Sequence, residues 1–487
     1  MQNYYRFIVP RLNGPDIKKD LFRYVSLVKK GIAGFIVFGG EIEQVRSCIA
    51  RSQQEAEFPL IIASDLERGL GQQLAGGTPL PPAMALANAT QRARRAKGDR
   101  RNRAAIDLPL LRKTFKSLAE EARYAGINTI LAPVLDINTN PRNPIVCTRS
   151  FGEDSETVSF FGSEMIIAIQ RSGLAACGKH FPGHGDTAVD SHIKLPVIER
   201  GIEELKKNEL RPFKQAVECG VKMIMLGHLC VPAIDPSGVP LSISGKAVAY
   251  LRKSMKYKGI LITDAMNMGG LGGYSEEEAS CEALRAGVDI LLHPSDAEKI
   301  ASYLKEKKAV FNGDRLEEFR RGLDRGPSSS APDFEKNRRL SDLLSRKAIK
   351  TSGRPELNGR PFLIILNDEE DDEKGGVFSR RLKTLVPATQ SRTIIRDMDV
   401  RRLAIPEKAS VVVAVFSETK AWKGGVTHWL HRQIEYLAER ADLFVSFGSP
   451  YLFEKTKGAP KMFAYWDSDS AQLATADIIA QKYHPSH

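Results

Sequence analysis

Short β-branched runs separated by longer amphipathic stretches recur over the first 300 residues, and this alternation constrains the fold more than any other feature. Runs at 34–38, 60–65, 128–134, 174–180, 222–228, 259–264 and 288–293 read as strands, with helical patterns such as 111–125 and 158–172 between them. Strand–helix alternation of this length implies a parallel sheet, and seven or eight such units imply a closed barrel rather than an open sheet. Asp65, Lys179, His180, His228, Asp264 and His293 each fall at the C-terminal end of a predicted strand. In a (β/α)8 barrel the strand ends converge at that rim, which carries the active site.

The stretch 325–332, Arg-Gly-Pro-Ser-Ser-Ser-Ala-Pro, has linker composition, and a polar helix is predicted at about 334–350. A second α/β pattern begins at Pro361. Its apolar runs 362–366, 411–416 and 443–447 alternate with helical segments 427–439 and 471–482. The α/β reading is therefore a TIM-like (β/α)8 barrel over 1–325, a linker over 326–358 and a smaller αβα sandwich domain over 359–487. The second pattern contains neither G-x-G-x-x-G nor a Walker-type loop, so no nucleotide and no other cofactor is expected. No internal repeat is visible.

Composition narrows the partners. The net charge of +12 suggests a polyanion, but half of it lies between Arg92 and Arg103, where seven Lys/Arg accompany one Asp. That tract has no interleaved aromatics on which bases could stack, and it reads as a solvated loop or helix end. No nucleic-acid partner is expected. There is no apolar run long enough to span a bilayer, and the opening residues lack the pattern of a signal peptide. The six cysteines show no paired short spacing, which fits free thiols in a reducing cytoplasm better than a disulfide framework. The oligomeric state is not legible.

The chemistry concentrates in residues 177–192, Cys-Gly-Lys-His-Phe-Pro-Gly-His-Gly-Asp-Thr-Ala-Val-Asp-Ser-His. His180, His184, His192 and Asp186 invite a metal reading, but the spacing matches neither H-E-x-x-H nor a zinc ribbon, and no metal is expected. Asp190 and His192 form an i, i+2 pair in which a carboxylate can fix the tautomer of an imidazole and stabilise its protonated form, giving a general acid/base. The alternative is an exposed loop histidine beside an inconsequential aspartate. Asp264 ends the run Gly-Ile-Leu-Ile-Thr and either caps the following helix or serves as a nucleophile at the barrel mouth. No G-x-S-x-G elbow is present. One nucleophilic carboxylate, one His–Asp pair and several polyol-binding groups fit double-displacement glycosyl transfer, with histidine in place of the usual second carboxylate.

The block Lys179-His-Phe-Pro-Gly-His-Gly-Asp-Thr187 with Asp190-Ser-His192, the loop 138–152 and the segment Ile262-Thr-Asp-Ala-Met-Asn-Met268 resemble family-3 glycoside hydrolases of the β-N-acetylglucosaminidase branch, the peptidoglycan-recycling enzymes of bacteria. The resemblance covers most of residues 5–300 and, less sharply, the second domain. It implies Asp264 as nucleophile, His192 oriented by Asp190 as acid/base, and Asp65, Arg149, Lys179 and His180 around a carbohydrate substrate. His228 joins them from a matching strand-end Gly-His. The segment 65–73 departs from the family pattern, with Gln where an arginine is usual. Neutral imidazole does not repel an incoming anion, so phosphorolysis is an alternative to hydrolysis. An inert carbohydrate- or polyanion-binding barrel is the alternative from another class.

Overall fold

Eight parallel strands close into a ring in the computed structural model, which describes residues 3–91, 106–186, 195–308, 310–369, 373–396, 398–417, 426–456 and 458–483. The basic tract 92–103 and the pair Asp190 and His192 lie outside the described residues. The strands are β1 (Ile8–Val9), β2 (Arg11–Asn13), β3 (Gly34–Phe38), β4 (Ile61–Ser64), β5 (Thr129–Ile130), β6 (Ala175–Phe181), β7 (Met223–Leu226), β8 (Ile260–Thr263) and β9 (Leu291–Leu292). β2 to β8 pair in chain order.

The ring closes through the first strand. Pro10 has no N–H to donate and splits one extended segment into β1 and β2. On one side Ala33 and Ile36 donate their N–H groups to the carbonyls of Ile8 and Pro10, at 3.0 Å each. On the other, Ile8 and Val9 lie opposite Leu291 and Leu292. β9 in turn reaches β8 through the bridge between Ile262 and Ile290.

The expected barrel is therefore present, with an eighth strand that the seven predicted runs did not include. Ile8 and Val9 are too short an apolar run, and too near a proline, to read as a strand. β3, β4, β7 and β8 are buried on nearly every residue because one face fills the barrel and the other meets helices.

The helices follow from spacing and caps. In Leu108–Ala125, Leu111, Phe115, Leu118, Ala122 and Ala125 are buried at helical period and cover the sheet. Each large side chain there contributes about 1.5–3 kcal/mol by burial. Helix Ser155–Arg171 starts where the Asp154 side chain accepts the Thr157 N–H. Helix Glu276–Ala286 opens on a Ser275–Glu278 capping box and ends at Gly287, whose φ of +98° only glycine adopts without strain.

The chain falls into two compact units, the first comprising residues 1–80, 109–146 and 150–338 and the second 81–108, 147–149 and 339–487. The second unit is built on a six-stranded sheet in the order β10 (Lys350–Ser352), β15 (Lys461–Phe463), β14 (Leu443–Ser446), β13 (Ala409–Phe416), β11 (Arg360–Asn367), β12 (Gln390–Ile394). Every pairing is parallel except β10 with β15.

Alternate residues of β11 and β13 face opposite sides. Leu363, Ile365, Val412 and Ala414 pack with helices Gly376–Leu385 and Asp469–Ala480. Phe362, Ile364, Val411 and Val413 pack with helix His428–Leu437. Sequence reading anticipated β11, β13 and β14, whose runs are apolar. It missed β12, which carries the polar run Gln-Ser-Arg-Thr at an edge, and the three-residue β10 and β15.

Candidate active site

At the C-terminal end of β6 the Lys179 ammonium is almost fully buried and lies 2.7 Å from both Asp65 Oδ1 and Glu67 Oε1. Asp65 follows β4 directly, and Glu67 is two residues further on. A cation buried between two carboxylates holds three side chains in fixed positions, because separating any of them leaves a desolvated charge. Sequence reading placed Asp65 and Lys179 at the rim. Glu67 escaped it because it lies in a loop, where an acidic residue is ordinarily solvated.

His180 is fixed from behind. Its Nδ1–H donates to Asp136 Oδ2 at 2.7 Å, and its backbone N–H reaches Asp136 Oδ1. The His184 N–H donates to the same Oδ1 at 2.7 Å. Burial alone raises the Asp136 carboxyl, but the charge and hydrogen bond of His180 outweigh it and hold the group below its ordinary value. Asp136 is thus an ionised anchor that leaves Nε2 of His180 for a ligand. It lies two residues beyond the predicted strand 128–134 and was not identified from sequence.

His184 and Asp186 shape the loop. The Asn143 side chain donates to the His184 carbonyl and accepts from the N–H groups of Ile145 and Val146. Arg200 Nε donates to Asp186 Oδ2 at 2.8 Å. A Cβ at Gly185 would lie 1.5 Å from the Ile137 carbonyl oxygen, so only glycine fits where the two loops touch. Beyond the undescribed segment 187–194, Val197 bridges to Cys230.

Asp264 follows β8 directly and is half-buried. Its backbone N–H donates to the Leu226 carbonyl at 2.9 Å, and its Oδ1 accepts the Ala265 N–H at 2.8 Å. His228, expected among the sugar contacts, is fully buried with both ring nitrogens engaged by protein. Nε2–H donates to the Ala265 carbonyl at 3.0 Å, and Nδ1 accepts from Ser242 Oγ at 2.7 Å. The geometry makes His228 a clamp on the Ala265–Met266 peptide, one residue past Asp264. Arg149, half-buried, lies in the turn Cys147–Arg149, which belongs to the second unit.

Cys177, two residues before Lys179, is an inert core group, since burial pushes its thiol up to about 12. His184 and His293 are both held neutral. Burial lowers each from an ordinary 6.5 to about 4, against the attraction of Asp136 for His184 and of Asp65 for His293. The unfolded chain takes up these protons near pH 6.5 and the folded chain only near 4. Their contribution to stability is therefore whole above pH 6.5 and is lost as pH falls toward 4. Urea unfolding free energies are expected to decline across that window, and less so in His184→Gln. A flat profile from pH 6.5 to 4.5 would contradict the buried neutral histidines.

A closed parallel barrel with a buried Lys–carboxylate cluster, an anchored imidazole and a separate half-buried carboxylate at its C-terminal mouth defines a (β/α)8-barrel protein with an enzyme-type site. Residues 17–320 match the glycosyl hydrolase family 3 N-terminal domain, and the chain belongs to that family. It is 28% identical over 331 residues to the beta-hexosaminidase A of Pseudoalteromonas piscicida, covering 62% of this chain and 52% of the relative. It is 32% identical over 310 residues to a beta-N-acetylglucosaminidase/beta-glucosidase of Cellulomonas fimi, covering 61% and 52%. The chain thus spans about half the length of these two curated relatives. The structure of a glycoside hydrolase family 3 beta-N-acetylglucosaminidase from Paenibacillus sp. str. FPU-7 superposes with a TM-score of 0.81 at 25% identity, covering 99% of this chain and 97% of that one.

Proposed function

We propose that the protein is an exo-acting, retaining β-N-acetylglucosaminidase that removes terminal β-linked N-acetylglucosamine, with peptidoglycan fragments as its source. The observation that carries the reading is the pairing of the buried Lys179–Asp65–Glu67 cluster with the separately held carboxylate of Asp264. The first is a rigid frame for sugar hydroxyls, and the second, whose Oδ1 accepts the Ala265 N–H, is the nucleophile. Relatives described as beta-hexosaminidases support the same reading.

In the proposed reaction Asp264 attacks the anomeric carbon while the glycosidic bond breaks and His192, oriented by Asp190, gives its proton to the departing oxygen. His192, now neutral, then takes a proton from water, which displaces Asp264 from the sugar. Lys179, Asp65 and the Nε2 edge of His180 hold the hydroxyls, and the part of Arg149 rests on the resemblance alone. No cofactor enters this scheme. A cytoplasmic setting fits the six free cysteines, five of them buried. Among the described residues no helix is long and apolar enough to cross a membrane. The limits 1–325, 326–358 and 359–487 are proposed as barrel, linker and sandwich domain.

Turnover of an aryl β-N-acetylglucosaminide well above that of the matching β-glucoside is the expected result. Repeating the reaction in phosphate buffer separates hydrolysis from phosphorolysis. Free N-acetylglucosamine is expected in both buffers, and sugar 1-phosphate as the main product would replace the hydrolase with a phosphorylase. Sugar binding without any turnover would leave only the inert binding barrel.

A further inference from the structure

A cavity of about 690 Å³ opens on the barrel face opposite the mouth that holds Asp264, at the N-terminal ends of β7 and β8. Helices Leu210–Glu218 and Asp314–Arg321 end beside it. Its floor is apolar: Val221, Tyr257, Ile260 and Leu323 are buried, and Val217 and Phe319 are half-buried at its edge. Lys222, Lys256, Lys258 and Arg315 also line it, with a single acidic residue, Glu318. The volume falls in the range of small-molecule sites.

The fold itself does not use these charges. Arg315 is paired, its Nη1 donating to Asp289 Oδ1 at 2.8 Å. The ammonium groups of the three lysines have no carboxylate and no hydrogen-bond acceptor among the described residues. Nor do they cap the helices that end here. The carbonyls of Gln215, Ala216 and Val217 accept the N–H groups of Cys219, Val221 and Gly220. Those of Phe319 and Arg320 accept from Gly322 and Leu323.

The turn that carries two of the lysines is fixed from within. Arg252 Nη1 donates to the carbonyls of Tyr257 and Gly259 at 3.1 and 2.6 Å, and the Tyr257 hydroxyl donates to the Ile260 carbonyl at 3.0 Å. Lys256 has a φ of +57°, the left-handed region in which a side chain is strained. Cations placed in advance on a fixed turn lower the ordering cost that a ligand must meet.

A neutral sugar gains little from three ammonium groups, and a bare inorganic anion gains nothing from an apolar floor. The lining selects a molecule with both parts. We propose that this cavity binds a small amphipathic anion, one acidic group on an apolar body, with Lys222, Lys256 and Lys258 around the acid and Val217 and Phe319 against the body. The site is separate from Asp264, and the proposal stands or falls independently of the hydrolase reading.

Fluorescence titration with 8-anilinonaphthalene-1-sulfonate, an aromatic body bearing one sulfonate, is expected to show a single saturable site. The uncharged N-phenyl-1-naphthylamine should bind about tenfold more weakly. Lys222→Met/Lys258→Met is expected to weaken the sulfonate about tenfold and leave the neutral dye unchanged, and Lys222→Arg/Lys258→Arg to keep most of the affinity. Lys256→Gly should weaken the sulfonate without lowering the unfolding midpoint, because glycine adopts that backbone freely. The three lysines are exposed or half-buried, so the variants are expected to fold, and their unfolding midpoints check this. Saturating N-acetylglucosamine is expected to leave the sulfonate bound. Absence of saturable binding, equal affinity in the wild type and the methionine double variant, equal loss of both dyes, or displacement by the sugar would each overturn the proposal.

Discussion

Asp264→Asn is expected to lower kcat/KM for an aryl β-N-acetylglucosaminide by at least about 10³-fold, equivalent to about 4 kcal/mol of transition-state stabilisation. The substitution keeps an oxygen for the Ala265 N–H and leaves the His228 clamp on the next peptide untouched. The loss therefore reports chemistry rather than misfolding, and an unchanged unfolding midpoint should accompany it. A 5-fluoro N-acetylglucosaminyl donor with a good leaving group should add its mass to the wild type and not to the variant. With Asp264→Ala, azide should restore turnover and give the α-configured sugar azide, since the external anion then takes the place of the carboxylate. Retention of more than a tenth of the wild-type activity in Asp264→Asn would remove it as nucleophile.

Lys179→Met should act on both stability and binding. Removing one partner of a buried ion pair leaves the other charge desolvated, at a cost of about 3–5 kcal/mol. Here Asp65 and Glu67 would face each other without the ammonium that lies 2.7 Å from each. The unfolding free energy should fall by about 3 kcal/mol, read by urea titration, and KM should rise steeply. The double variant Lys179→Met/Glu67→Gln removes one of the two stranded charges and should recover most of the stability while activity stays low. If stability does not return, the damage in Lys179→Met is steric rather than electrostatic.

What was legible in the sequence follows a physical line. Strands made of consecutive β-branched residues were visible because burial on both faces demands such runs, as in β3 and β8. The first strand was not, since its two apolar residues carry no signal apart from the distant partners that close the ring. Asp65, Lys179 and Asp264 stood out because a charged residue ending an apolar run is costly unless something nearby uses it. Glu67 and Asp136 belong to the same electrostatic framework, yet each follows its strand by a short loop, and local sequence cannot distinguish an anchored loop carboxylate from a solvated one. His228 looked like a ligand for the same reason as His180. Only the positions of Ser242 and the Ala265 carbonyl separate the two.

The closure of the ring has a consequence for how the chain is made. β1 pairs with Leu291 and Leu292, which follow it by about 280 residues. At roughly 5–20 residues per second a ribosome needs on the order of 15–60 s to supply that partner. For all that time the apolar edge of the nascent barrel has nothing to pair with, and long-range parallel pairing is intrinsically slow. Completion of the ring should therefore depend on whatever shields that edge during synthesis.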